Sequence, residues 1–348
     1  MTDLSGVASP EMPSEQELKQ IAQIRAECAA DIDALTCRAD DIVGDLRICR
    51  FLRSRQGDVQ EATAWFREFL KWRLEYGMDA YRQEVVGRSP EDFVNWYDKR
   101  RNPYIRLCPY AGRNDQGNVL WFVHTGLNDP VKWVEHRQVS KEEDAKTINL
   151  VLEWTMWHLD VLSRREERMA YCIKVLDFRH LGGGGRKLPV FVPEFKGFFQ
   201  GMLQSMQKHY CEHDSLFVML NTSWVFRTLF SVVKLLFTKR QVSKIRLLGD
   251  ASTAEVRSAL SQIVPERLLH AEYGGPVQRL VGFLPQDSAE DIERWYQTRH
   301  TLAVEHAAPQ PPPPPPPPPP PNGDGSGEAG HGSGEVEAGE VEAGKAPA

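Results

Sequence analysis

The 348-residue sequence contains no run of 18 apolar residues, so no segment of it reads as a membrane-spanning helix. Cysteine is sparse: Cys28, Cys37, Cys49, Cys108, Cys172 and Cys211 include no CxxC pair, which leaves metal ligation without a pattern and makes reduced thiols the expectation. Positive charge is not in excess. The net charge is −6, most of it from six acids set against Lys345 between Asn322 and Ala348, and the remainder is almost balanced. A globally basic nucleic-acid surface is therefore excluded. The opening stretch MTDLSGVASPEMPSEQELKQ lacks the basic and apolar regions of a secretory signal, and Gly does not follow Met1 for myristoylation. These absences lead us to expect a cytoplasmic protein.

Catalytic motifs are missing too. There is no G-x-S-x-G elbow and no H-E-x-x-H. The glycine run HLGGGGRK (180–187) lacks the G-x-x-x-x-G-K-(S/T) frame, because Leu188 follows the lysine, and it reads as a surface turn. HYCEH sets His209 and His213 at i and i+4 without a further ligand pattern. No catalytic residue, metal site or cofactor is expected.

The hydrophobic content of 41% and charged content of 26% are those of a globular protein. Residues 1–13 are polar, interrupted by Pro10 and Pro13, and are expected to lack structure. From Ser14, with Glu17 three residues on, a capping box opens a helical block over 14–85. Leu46, Cys49 and Leu52 share one apolar face in it, and Ala62, Trp65, Phe66, Phe69, Leu70 and Trp72 form a second stripe. Over 86–300 the period changes. GNVLWFVHT, MAYCIKVLDF, SLFVMLN and SKIRLLG read as strands, and KEEDAKTINLVLEWTMWHLDVLSRREER as a long helix, which predicts a mixed α/β sheet. Period-two alternation puts Cys172, Lys174 and Leu176 on one face, opposite Ile173 and Val175. Residues 301–348 carry Pro311–Pro321, a polyproline II rod, then an acidic Gly/Glu-rich tail expected to be disordered. The rod would suit an SH3, WW or profilin-type partner, which makes a signalling or actin scaffold one reading of the chain.

TSWVFRTLFSVVKLLFTKRQVSKIRLLG (222–249) raises a separate question, since Val225, Phe226, Leu229, Phe230, Val233, Leu236 and Phe237 keep a helical period while Arg227, Lys234, Lys239 and Arg240 interrupt or follow them. An ordinary core helix explains the apolar residues; a helix that meets a membrane surface explains the cations as well.

Three ordered motifs resolve the choice by resemblance. ICRFLRSRQGDVQEATAWFREFLKWRLEYGMD is similar to the R-F-L-R-x-R and W-R-x-x-(F/Y)-G elements of the CRAL-TRIO family. HYCEHDSLFVMLNTSWVFRTLFSVVKLLFTKRQVSKIRLLG resembles its core signature, with Cys211 in place of a proline. PERLLHAEYGG resembles its closing P-x-x-L-P-x-x-(Y/F)-G-G, with Leu269 in place of the second proline. The resemblance covers about residues 30–280. It implies an N-terminal helical bundle followed by a mixed β-sheet flanked by helices that enclose an apolar cavity for one lipid. In such proteins the helix over Val225–Phe237 is the gate. The family typified by fungal phosphatidylinositol/phosphatidylcholine transfer proteins makes phospholipid transfer the implied function, with phosphatidylinositol favoured and a tocopherol-, retinoid- or squalene-like lipophile as the alternative. A transient, peripheral membrane encounter is implied with it.

Carried over by position, Arg55, Glu212 and Lys244 correspond to the family's headgroup residues, while Gln56 stands where a second cation is usual. Glu212 and Lys244 could equally form an ion pair that closes the sheet end. Tyr110, Trp121, Cys172 and Lys174 correspond to positions around a choline phosphate. A lysine there repels choline, so Lys174 either meets an anionic ligand or pairs with a nearby acid.

Overall fold

The computed structural model describes residues 10–277, except 101, 103, 106, 137–139, 183–186, 189–190, 235–236 and 238; the side chains of Cys108, Pro109, Val225, Leu229, Val232 and Val233 also lie outside it. The polyproline run Pro311–Pro321 and the acidic tail therefore lie outside the described residues.

The chain begins with short helices: α1 (Glu15–Glu27), α2 (Ala29–Asp33), α3 (Asp40–Val43), α4 (Asp45–Ser54), α5 (Val59–Tyr76), α6 (Met78–Tyr81) and α7 (Pro90–Arg100). The capping box forms as its sequence predicts: Ser14 Oγ accepts from the Glu17 N–H, and Glu17 returns the bond to the Ser14 N–H. Asp58 caps α5 at its start, and Gly77 closes it in the left-handed region at φ 67°. Phe51, Phe66 and Phe69, with centroids 5.4–6.0 Å apart, fill the centre of this block. Residues 10–13, expected to lack structure, are instead docked. The Pro10 carbonyl accepts from Met169 N–H at 2.7 Å, and Met12 packs against Leu46, Met169 and Tyr171. An edge of polar backbone and a patch of apolar surface on the folded body order a segment whose own composition carries no such signal.

The sheet has the order β1-β2-β3-β4-β5 among the described residues. β1 (Leu107–Arg113) runs antiparallel to β2 (Val119–Val123). β3 (Cys172–Asp177), β4 (Asp214–Leu220) and β5 (Ile245–Leu247) follow in parallel. Crossovers supply the helices: α8 (Pro130–Glu135) and α9 (Lys141–Glu166) lie between β2 and β3, and α10 (Pro193–Lys208) between β3 and β4. Between β4 and β5 come α11 (Trp224–Val233) and α12 (Lys239–Ser243), and α13 (Ala254–Ser261) follows β5. Parallel strands covered on both sides need apolar residues on both faces, which is why they read as near-continuous hydrophobic runs. β1 escaped the sequence reading because LCPYAGR neither alternates nor runs apolar. At the sheet edge a proline is tolerated, and the register slips between Cys108 and Gly112.

Each sheet face has its own core. Leu120, Phe122, Ile173, Val175, Leu216 and Val218 pack with Val256 and Leu260 of α13 and with Tyr273. Val119, Trp121 and Cys172 face the other way, against Phe93 and Trp96 of α7 and Val151 and Trp154 of α9. The alternation read from the sequence is the one found.

A buried charged network joins the helical block to α9. Glu153, 3% exposed in mid-helix, accepts from Arg73 (2.7 Å), Arg82 (3.2 Å) and the Tyr210 hydroxyl (3.0 Å). Arg73 also grips Asp79 and Arg82 grips Asp41. Burial alone would raise the Glu153 pKa; Arg73, Arg82 and Arg47 outweigh it and hold the carboxyl below its ordinary value. Its stabilisation is thus fully present above the unfolded carboxyl pKa of about 4.3 and is lost as pH falls toward the lower folded value. Glu153→Ala leaves two buried guanidiniums under-compensated and is expected to destabilise the protein by about 3–5 kcal/mol in urea unfolding. An unchanged midpoint would remove the network from the account of stability.

Candidate functional site

The tight turn before β4 sets the site. Glu212 sits in the left-handed region at φ 53°, and its backbone carbonyl accepts from Arg50 Nη1 at 2.6 Å. Arg50 Nη2 reaches Ala170 O at 2.8 Å, so one arginine of α4 staples the turns that lead into β3 and β4. Arg47, one turn earlier, donates to His209 O at 2.6 Å and lies over the Phe69 ring at 4.5 Å.

With the turn fixed, the Glu212 carboxylate faces two cations. Oε1 accepts from Arg240 Nε at 2.7 Å and Lys244 Nζ at 3.0 Å, and Oε2 from Arg240 Nη2 at 2.9 Å. Lys244 also donates to Asp214 O at 2.7 Å. Burial pushes the Glu212 pKa up, but Arg240 and Lys244 more than reverse this and hold the carboxyl low. Glu212 and Lys244 are therefore the ion pair that the sequence left open. Arg240, named in the sequence reading only among the cations that follow the gate stretch, is the further cation of this contact, and the K-R pair beside Lys244 was the available signal.

Arg55 is not part of this contact. Its guanidinium lies 3.6 Å from the centroid of the Trp65 ring and bonds Glu61 at 3.2 Å and Ser54 Oγ at 3.2 Å. Near it, Cys211 is a buried thiol whose pKa desolvation raises while Arg47, Ser54 and Arg55 oppose the rise.

Asp214 links a second cluster to the first. Its carboxylate lies 3.0 Å from Lys174 Nζ, which sits 4.5 Å from the Trp121 ring centroid and also donates to His213 Nε2 at 2.9 Å. Burial first, and Lys174 second, hold the His213 pKa well below its ordinary value. Neutral His213 donates its Nδ1–H to the Tyr210 carbonyl and offers Nε2 to the lysine. The 3.1 Å approach of His213 Nε2 to Asp214 is thus two acceptors bridged by one ammonium, not an ion pair. Of the two readings of Lys174, pairing with a nearby acid is the one found. Tyr110 stands apart from it, edge-on to Trp154 and His158 at 5.8 Å each, and Cys172 is a buried thiol that desolvation pushes upward. His209 stacks on Trp72 at 4.0 Å and burial lowers its pKa to about 3, so the two histidines of HYCEH serve separate contacts.

The gate segment is shorter than its apolar period. α11 ends at Val233, and Phe237 lies past it, its N–H on Lys234 O at 3.1 Å; Leu236 is outside the described residues. Phe226 meets Phe178 at 4.2 Å and Phe230 at 6.0 Å. Phe230 is buried, whereas Trp224 at the helix start is 78% exposed, an outward aromatic that the apolar count did not include. A recess between α9 and α10, lined by Tyr97, Ile105, Thr147, Ile148 and Phe198 among others, holds only about 10 Å³.

Residues 106–275 match the family model for the CRAL/TRIO domain. The chain carries a CRAL/TRIO domain. A CRAL-TRIO domain-containing protein of Saccharomyces cerevisiae is 25% identical over 66% of this chain and 70% of its own length. The Sec14 cytosolic factor of Schizosaccharomyces pombe is 23% identical over 67% of the chain and 75% of its own. A phosphatidylinositol/phosphatidylcholine transfer protein of Arabidopsis thaliana is 22% identical over 75% of the chain, which spans 42% of that longer protein. The chain likewise spans 37% of patellin-5. The crystal structure of Sfh5 superposes with a TM-score of 0.49 at 12% identity, over 85% of this chain and 99% of that one. Glu212, Arg240, Lys244 and Lys174 fall inside the CRAL/TRIO domain, and Arg55 lies in the helices that precede it. Among the described residues no helix is long and apolar enough to cross a membrane.

Lys174→Met would strand Asp214 in the CRAL/TRIO core without its cation and is expected to cost about 3–5 kcal/mol. Lys174→Met/Asp214→Asn should recover most of it. Equal thermal stability of the single variant and the wild type would show that Lys174 is not the partner Asp214 depends on.

Proposed function

We propose that the protein binds one lipid at a time and moves it between membranes, with an anionic phosphorylated headgroup of the phosphatidylinositol type as the favoured ligand. The observation that carries this reading is the Glu212–Arg240–Lys244 cluster. Two cations held on a single carboxylate leave one positive charge in surplus at the start of β5, where Arg240 keeps partial access to solvent. A fixed guanidinium and ammonium are the donors that a phosphodiester takes. The Arabidopsis relative, named a phosphatidylinositol/phosphatidylcholine transfer protein, supports the same class of ligand. Phosphatidylcholine is disfavoured, because Lys174, tied to Asp214 beside Trp121, occupies the face that a choline group would need.

The recess between α9 and α10, at about 10 Å³, is too small for an acyl chain. An amphipathic α11 with exposed Trp224 suits a lid that opens on contact with a bilayer. Such opening steps commonly limit turnover. No bond is made or broken in this cycle.

Two measurements test the reading. In vesicle-to-vesicle assays, Lys244→Ala should lower transfer of labelled phosphatidylinositol roughly tenfold to a hundredfold, the loss of one charged hydrogen bond, while an uncharged lipophile is carried as before. Unchanged phosphatidylinositol transfer would leave the Lys244–Glu212 pair a purely structural one and move the search to small lipophiles. In the same assay Phe226→Asp should slow transfer of every cargo, since a carboxylate then faces acyl chains. A folded Phe226→Asp protein with wild-type rates would reject α11 as the gate.

A further inference from the structure

At the end of the sheet where β1 turns into β2, a polar hollow of about 480 Å³ opens to solvent. Its chemistry is unlike that of the gate. Glu166 at the end of α9 accepts from three guanidiniums: Arg113 of β1 at 2.5 Å, Arg165 at 3.1 Å and Arg168 at 3.2 Å. Arg267, from the turn after α13, closes the rim through Asp115 at 2.8 Å. Of these, Arg113, Arg168 and Arg267 line the hollow with Glu166 and Asp115, three guanidiniums to two carboxylates and a surplus of one positive charge.

Cations at the end of a helix are ordinary, since they offset its negative dipole. That accounts for Arg165, but Arg113 and Arg267 reach the hollow from two other elements. The turn is also cut to admit them. Gly117, at φ 77°, has no side chain; a Cβ there would lie 2.1 Å from Arg168 Nη2 and 2.7 Å from Arg113 Nη2. Burial raises the Glu166 pKa, yet Arg113, Arg165 and Arg168 pull it below its ordinary value, so the hollow already stabilises one internal anion.

We propose that this hollow is a binding site for a phosphate monoester, separate from the Glu212–Lys244 cluster. A phosphate monoester carries a charge of about −1.5 to −2 and three acceptor oxygens. Its sign is that which the surplus favours, and its oxygens suit the forked donors of Arg113, Arg168 and Arg267. The same group occurs on soluble phosphate esters and on phosphorylated lipid headgroups, and the experiment separates these sources.

The full chain is titrated calorimetrically with inositol 1,4,5-trisphosphate and, in parallel, sedimented with vesicles that contain phosphatidylinositol 4,5-bisphosphate. The wild type should bind one of them saturably and more weakly as salt rises. Soluble binding assigns a free ester; binding to vesicles alone assigns a lipid headgroup. Arg168→Gln/Arg267→Gln should weaken binding about a hundredfold, at about tenfold for each guanidinium. Glu166→Gln, which removes the internal competitor, should tighten it. Arg168→Gln/Arg267→Gln should still move labelled phosphatidylinositol between vesicles at the wild-type rate, so failure of the transfer reading and failure of this one are told apart. Should the double variant not fold, Arg267→Glu alone carries the test, at a side chain 61% exposed. No saturable binding to either probe by the wild type, or undiminished binding by the arginine variants, would overturn the assignment.

Discussion

The structure depends on a single buried carboxylate. Glu153 lies in the middle of the long helix α9, against the sheet, and receives Arg73 and Arg82 from the helical block together with the hydroxyl of Tyr210. Buried ions persist only when every charge has a partner, and here Arg73, Arg82 and Arg47 stand against Asp41, Asp79 and Glu153. Such a network adds little net stability over an apolar core. Its contribution is positional: Arg73 of α5 and Arg82, just past α6, converge on Glu153 of α9. The Phe93–Trp154 stack, with centroids 3.9 Å apart, then seats α7 on the same helix.

That fixed seating carries the site. α4 is held against the sheet, and its Arg47 and Arg50 reach across to the backbone of His209, Glu212 and Ala170. The turn before β4 is thereby locked with Glu212 in the left-handed region, and its carboxylate is presented to Arg240 and Lys244. Asp214, two residues on, gives its carbonyl to Lys244 and its carboxylate to Lys174. A single turn thus coordinates the charge at the starts of β4 and β5 and the charge on the sheet face. At the same end of the sheet, toward its β1 edge, lies a different grouping: Arg113, Arg165 and Arg168 converge on Glu166, and Arg267 meets Asp115.

Much of this was legible in the sequence. The strands β2, β3 and β4 appeared as apolar runs because strands inside a covered sheet are buried on both faces, while β5, at the edge, is only half-buried. The capping box at Ser14 and Glu17 formed because its hydrogen bonds are local. The alternation of Cys172 and Lys174 against Ile173 and Val175 gave the two sheet faces, and spacing to the family motifs brought Glu212 and Lys244 forward as a pair. The lead-in at residues 10–13 was misread, because Pro10 and Met12 are ordered by contacts to Met169 and Leu46 that no local pattern encodes.

What the sequence determines by itself is therefore what short-range periodicity and backbone chemistry determine: element type, sheet face and the ends of helices. Partner choice among charged side chains belongs to the tertiary structure. Arg55 and Lys244 look equivalent as isolated cations, yet Arg55 folds back onto Trp65 and Glu61 while Lys244 meets Glu212. Nothing in the text of the chain says that Arg113, Arg168 and Arg267, up to 154 residues apart, line one hollow, or that Lys174 is answered by Asp214 40 positions away. A charge selects its partner by distance and desolvation in three dimensions, and only the folded chain sets those.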